Sequence, residues 1–101
     1  MARKGLIESN SRKKRTVLRF QDRRASLKKE LSRPDLSQEE RFRIRGKMQA
    51  LPRDASPVRV RLRCAVTGRS RGVYRFCGLS RSVLRDAAFS GFLPGVKRSS
   101  W

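Results

Sequence analysis

The chain contains no histidine, and only 8 of its 101 residues are acidic. The first absence removes the commonest general base and the commonest metal ligand together. The serines therefore have no imidazole to activate them, and nucleophilic catalysis has no foundation. Apolar residues are scattered, and no run approaches the roughly 20 residues that span a bilayer as a helix, so neither a membrane span nor a membrane partner is expected. Cysteine is scarce as well. Cys64 and Cys77 are the only two, and neither sits in a CxxC pair. A structural zinc site normally takes four thiolate or imidazole ligands, so no metal or other cofactor is expected, and the cysteines read as free thiols in a reducing or organellar interior. Residues 1–8 turn basic at once and lack the apolar stretch of a secretory signal, which marks them as part of the working protein.

What the chain has in excess is positive charge. Its 27 Lys+Arg against 8 Asp+Glu give a formal net charge of +19 and a pI of about 11.8. Self-repulsion on this scale opposes compaction, and an extended polyanion relieves it. A nucleic acid is the expected partner, and a small-molecule substrate is not. If roughly ten cations neutralise phosphates, counterion release gives a log–log salt slope of about −9 on duplex or −7 on single strands. With apolar residues so dispersed, small clusters and incomplete folding without the partner are expected.

The fold class expected is mainly α with irregular extended arms. Residues 2–32 have few breakers and read as one or two helices, largely polar between Ile7 and Val17. Arg33-Pro34-Asp35 interrupts them, since the residue before proline is pushed out of the α region. Ser37-Gln38-Glu39-Glu40 then has the spacing of a capping box, and Ile44, Met48 and Leu51 follow at helical spacing. Pro52 ends that helix. The expected organisation is a helical basic arm over 1–52, a linker over 53–57, and an RNA-binding module with a terminal helix and tail over 58–101.

From position 55 to 85 there is no acidic residue and no lysine, but there are eight arginines. Guanidinium presents a planar fork to phosphate and also stacks on bases, so this half is read as shaped recognition of a folded RNA. Val58-Arg59-Val60-Arg61-Leu62-Arg63 alternates strictly and predicts a short strand with one arginine face. Gly68 and Gly72 bracket Arg69-Ser70-Arg71 and allow the backbone to approach a phosphate closely. Ser80 is placed to cap a last helix whose Val83, Leu84, Ala87 and Ala88 share a face, and Gly91 to stop it. Tyr74, Phe76 and Trp101 are the aromatic candidates for stacking on unpaired bases. Phe76 is assigned preferentially to a small core beneath the terminal helix, and Trp101 to stacking. The RNA-binding residues read from the chain are Arg3, Lys4, Arg12, Lys13, Lys14 and Arg15 in the arm, and Arg53, Arg59, Arg61 and Arg63 around the alternating segment. Arg69, Arg71, Arg75, Arg81, Lys97, Arg98 and Trp101 complete the set.

The run Arg63-Cys64-Ala65-Val66-Thr67-Gly68-Arg69-Ser70-Arg71-Gly72-Val73-Tyr74-Arg75, followed by Gly78-Leu79-Ser80-Arg81, carries a resemblance. So does the ending Leu93-Pro94-Gly95-Val96-Lys97-Arg98-Ser99-Ser100-Trp101. Together with Met1-Ala2-Arg3-Lys4 and Leu51-Pro52-Arg53-Asp54, they are similar to the family of the fourteenth small-subunit ribosomal protein, in its long zinc-free form. In zinc-binding relatives two CxxC pairs hold a small ribbon, and these would fall on Cys64 and Thr67 and on Ser80 and Val83. Only Cys64 survives, which implies a zinc-ribbon-like module without metal, ending in a short helix and basic tail. Cys77 departs from the family by standing where relatives often carry a bulky apolar residue. The resemblance further implies a structural constituent of the small subunit that binds ribosomal RNA of the head, the 3′ major domain, beside proteins three, ten and nineteen. It implies a ribosome of the bacterial cytoplasm or of an organelle, the mitochondrial matrix or a plastid. Two readings from other classes compete: a nucleic-acid-compacting architectural protein, and a cationic membrane-active peptide, which would need a continuous apolar helix face.

Overall fold

The computed structural model describes residues 1–99, and the chain is mainly helical. α1 (Lys4–Leu31) is one unbroken helix of 28 residues, about 42 Å long at 1.5 Å per residue. Proline is absent from it, and Lys28 and Lys29 in its last turn complement the negative end of the helix dipole. α2 (Gln38–Gln49) begins at the expected capping box: the Glu40 amide donates to Ser37 Oγ at 3.3 Å, and the Ser37 amide donates to Glu40 Oε2 at 3.1 Å. Two short 3-10 turns follow, Arg53–Ala55 and Pro57–Arg59.

The backbone groups into two compact units. One comprises Glu8–Val60, and the other comprises Met1–Ile7 with the described residues from Arg61 onward. In the first, Leu27, Ile44, Leu51 and Ala55 form the buried cluster, and Phe20, Leu31, Leu36 and Met48 pack against it. Ala55 is 1% exposed, so the segment after Pro52 contributes to this core. Ile44, Met48 and Leu51 are the apolar set whose spacing marked α2 in the sequence. Phe42, off that spacing, points to solvent.

In the second unit, β1 (Val73–Tyr74) and β2 (Leu79–Ser80) pair antiparallel, with Val73 opposite Ser80 and Tyr74 opposite Leu79. Gly78 closes the hairpin at φ 67, its amide donating to the Tyr74 carbonyl at 2.8 Å. α3 (Arg81–Phe89) follows directly. Ser80 is its N-cap residue but makes no side-chain cap bond. At its end the Phe92 amide donates to the Ala87 carbonyl and the Gly91 amide to that of Ala88, with Gly91 at φ 77. This is the paired pattern of a left-handed helix stop.

Two expectations are corrected. Positions 58–63 form no strand: a 3-10 turn occupies Pro57–Arg59, and Val58 is 90% exposed. Alternation specifies which side chains are alike, but a strand also needs a partner edge. Pro57, at the start of the turn, fixes a φ suited to it. Phe76, assigned to the core, is 73% exposed in the hairpin turn. Its ring lies 6.0 Å from that of Tyr74, tilted by 56°, so the two aromatics meet each other at the surface.

Candidate nucleic-acid interface

The second unit is organised around one thiol. Cys64 is 3% exposed, and the turn it begins is closed by the Gly68 amide donating to the Cys64 carbonyl at 2.9 Å. The Cys64 amide donates to the Arg69 carbonyl at 2.9 Å, and the Ala65 amide to the Gly78 carbonyl at 3.0 Å. The Ser80 amide reaches the sulfur itself, at 3.2 Å. Burial alone raises a thiol pKa. Here the Thr67 hydroxyl and the amides of Thr67, Ser80 and Val66 together outweigh it, bringing Cys64 from 9.0 down to about 6. These hydrogen bonds favour the ionised form of the sulfur.

Zinc does not fit this arrangement. The four positions to which the resemblance assigns ligands, Cys64, Thr67, Ser80 and Val83, offer a thiol, two hydroxyls and an aliphatic chain. Backbone and hydroxyl donors already occupy the sulfur. Among the described residues no group of three or more His, Cys, Asp and Glu could hold a metal ion. Cys77 is also a free thiol, half-buried in the hairpin turn, with Sγ 3.9 Å from the Tyr74 carbonyl.

The N-terminus docks on the same turn. The Ala2 amide donates to the Thr67 carbonyl at 3.0 Å. Gly68, at φ 71, lies so close to Ile7 and Ala2 that a Cβ there would come within 2.6 Å of Ile7 Cδ1 and 3.2 Å of Ala2 Cβ. Glycine is required by both the dihedral and the approach. Beside this contact opens a cleft of about 500 Å³, lined by Met1, Ala2 and Leu6 on one side and by Arg63, Arg69 and Arg71 with serines 70, 80 and 82 on the other. No carboxylate lines it. Arg63 is half-buried, its Nη1 donating to the Gly68 carbonyl at 2.9 Å, so it braces the turn as well as charging the cleft. Its Nε is buried with no partner among the described residues. Arg69 and Arg71 are exposed.

A second cleft, of about 410 Å³, lies between α3 and the residues that follow it. It gathers Arg81, Lys97 and Arg98 with Arg85 and two aromatics, Tyr74 and Phe89. Arg85 stands over the Phe89 ring at 5.4 Å from its centroid. Neither residue was among the predicted contacts. Their i, i+4 spacing on a helix was the available signal.

The remaining predicted residues are not gathered into either cleft. Arg3 and Lys4 are exposed at the start of α1, and Arg12, Lys14 and Arg15 along it, while Lys13 is half-buried. Arg53 is exposed in the first 3-10 turn. Arg59 is engaged by Asp54 at 3.1 Å. Arg61 is exposed and engaged within the chain. Arg75 is exposed in the hairpin turn. Trp101 lies outside the described residues. No described helix is long and apolar enough to cross a membrane.

Comparison with known proteins identifies the family. The family model for ribosomal protein S14p/S29e matches residues 47–100. The small ribosomal subunit protein uS14 of Alkalilimnicola ehrlichii and that of Acaryochloris marina are each 48% identical over 101 residues, covering 100% of this chain and 100% of the relative. The chain belongs to the ribosomal protein S14p/S29e family.

Proposed function

We propose that this protein is a structural constituent of the small ribosomal subunit, binding ribosomal RNA of the head and holding its folded conformation in support of translation. It is not an enzyme. The observation that carries the RNA-binding assignment is the first cleft, where Arg63, Arg69 and Arg71 converge with serine hydroxyls and no carboxylate. Such a site suits phosphate oxygens, which accept from forked guanidinium donors while hydroxyls satisfy the remaining lone pairs. Arg69 and Arg71 contact backbone phosphates, and Arg63 contributes charge from behind the turn. The dispersed cations Arg3, Lys4, Arg12, Lys13, Lys14, Arg15, Arg53 and Arg75 extend the contact along further phosphates, and Lys97 and Arg98 do so from the second cleft.

In this reading the segment from Arg63 to α3 is a ribbon-like module built without metal, its thiolate replacing a zinc centre as the hub of hydrogen bonds. Residues 1–52 act as the helical basic arm, 53–57 as its connection, and 58–101 as the RNA-binding module. The resemblance supports proteins three, ten and nineteen of the head as neighbours, and the bacterial relatives support a ribosome of the bacterial cytoplasm.

The test is binding of the double variant Arg69→Ala/Arg71→Ala to small-subunit RNA across a salt series. The slope of log K against log salt is expected to fall by about one for each lost phosphate contact. An unchanged slope rejects the cleft. Equal affinity of the native protein for duplex DNA favours the architectural, nucleic-acid-compacting reading instead.

A further inference from the structure

The two clefts differ in kind. The first has cations and hydroxyls but no aromatic ring among its lining residues. The second combines four cations with two rings and the aliphatic side chains of Leu84, Ala88 and Val96. Phosphate alone has no use for rings. Phe89 is 71% exposed and Tyr74 46%, so both leave apolar faces in water, at a cost that a flat apolar ligand would relieve. A membrane or apolar protein surface would be repelled by none of this, but neither would explain the ring of Arg81, Arg85, Lys97 and Arg98. The occupant must be flat and apolar on one part and anionic on another.

We infer that this second cleft seats an unpaired nucleotide of single-stranded RNA, its base stacked among Phe89, Arg85 and Tyr74 and its phosphates met by Arg81, Lys97 and Arg98. A volume of about 410 Å³ lies within the roughly 300–1,000 Å³ range of small-ligand clefts. The Arg85 guanidinium already lies over the Phe89 ring at 5.4 Å, a cation–ring pair beside which a base can stack. Stacking on aromatic and guanidinium planes is the general means of gripping unpaired RNA, tolerant of sequence because every base has a π-face. The helix supplies the register: Arg81, Arg85 and Phe89 follow one another at four-residue steps along α3, which places them in one row. The chain thus divides its labour between a phosphate cleft at the Cys64 turn and a base cleft at α3. This inference rests on the RNA-binding reading above.

The experiment compares the full-length protein's affinity for a 12-nucleotide adenosine oligoribonucleotide and for an abasic oligomer of the same length and charge. The native protein is expected to bind the base-bearing strand at least about fivefold more tightly, the low end of what one stacked base contributes. Phe89→Leu, at an exposed position, is expected to remove that preference while leaving the salt slope unchanged, and Phe89→Trp to retain it. Arg85→Gln is expected to reduce it in part. Equal binding of the two strands by the native protein overturns the base cleft but leaves salt-dependent RNA binding intact. A preference that survives Phe89→Leu and Tyr74→Leu overturns it too, as does loss of binding to an acidic peptide, but not to RNA, in those variants. Failure of both strands to bind in 0.1 M salt overturns both readings.

Discussion

The backbone amide of Ser80 donates to the sulfur of Cys64 across 3.2 Å, joining residues sixteen positions apart in the buried centre of the second unit. With the Thr67 hydroxyl it holds the sulfur in place by hydrogen bonds. A metal binds four side chains at once. This sulfur is instead tied to one hydroxyl, that of Thr67, and to the backbone amides of Thr67, Ser80 and Val66.

That arrangement gives the fold a pH dependence. Cys64 titrates at about 6 when folded against 9.0 for an unperturbed thiol. A depressed folded pKa stabilises the native state fully above the unfolded value and not at all once pH has fallen below the folded one. Stability is expected to rise from pH 6 to pH 9, with a slope of up to about 1.4 kcal/mol per pH unit. Cys64→Ser should flatten this slope in urea titrations at pH 6, 7.5 and 9, and Cys77→Ser should not. A slope that persists in Cys64→Ser assigns the dependence elsewhere.

Glycine is used in two opposite ways. Gly68→Ala places a Cβ against Ile7 and Ala2 at φ 71, and is expected to cost about 1–2 kcal/mol and to release the N-terminal residues from the Thr67 carbonyl. Gly46 sits inside α2 with nothing within 4 Å of its would-be Cβ. Gly46→Ala should therefore stabilise by about 0.5–1 kcal/mol. Thermal melts of the two variants moving in the same direction would contradict this pairing.

The Ser37–Glu40 box satisfies two backbone donors reciprocally at the start of α2. Ser37→Ala is expected to cost about 1 kcal/mol, and Ser37→Asp to retain most of the stability. Circular dichroism melts decide the matter, since a solvent-satisfied helix start would show no difference.

Ile44 contributes to the small cluster with Leu27, Leu51 and Ala55. Ile44→Ala is expected to destabilise by about 2–4 kcal/mol, a large share of what so small a core supplies. Phe42→Ala, two residues away and exposed, should change stability by less than about 0.5 kcal/mol. Comparable losses from both would place Phe42 in a packed environment.

The sequence by itself determined whatever depends on near neighbours or on totals. The +19 charge, the lack of histidine, the capping box at Ser37 and the helix stop at Gly91 were all legible, because each is set by composition or by groups within a few residues. The arginine-rich half was legible as a cationic surface for the same reason. Only the tertiary structure decided which cations share a cleft. Arg63, Arg69 and Arg71 converge with Met1 and Ala2 because the Thr67 carbonyl receives an amide from the far end of the chain. The alternation at positions 58–63 misled, since a strand exists only where a second edge completes its hydrogen bonds. Phe76 misled as well, because hydrophobicity favours burial but the hairpin turn at Gly78 carries the ring outward. Arg85 and Phe89 became a site only when α3 and the following residues enclosed the space beside them. Their chemistry was local, and the cleft that gives it a use was not.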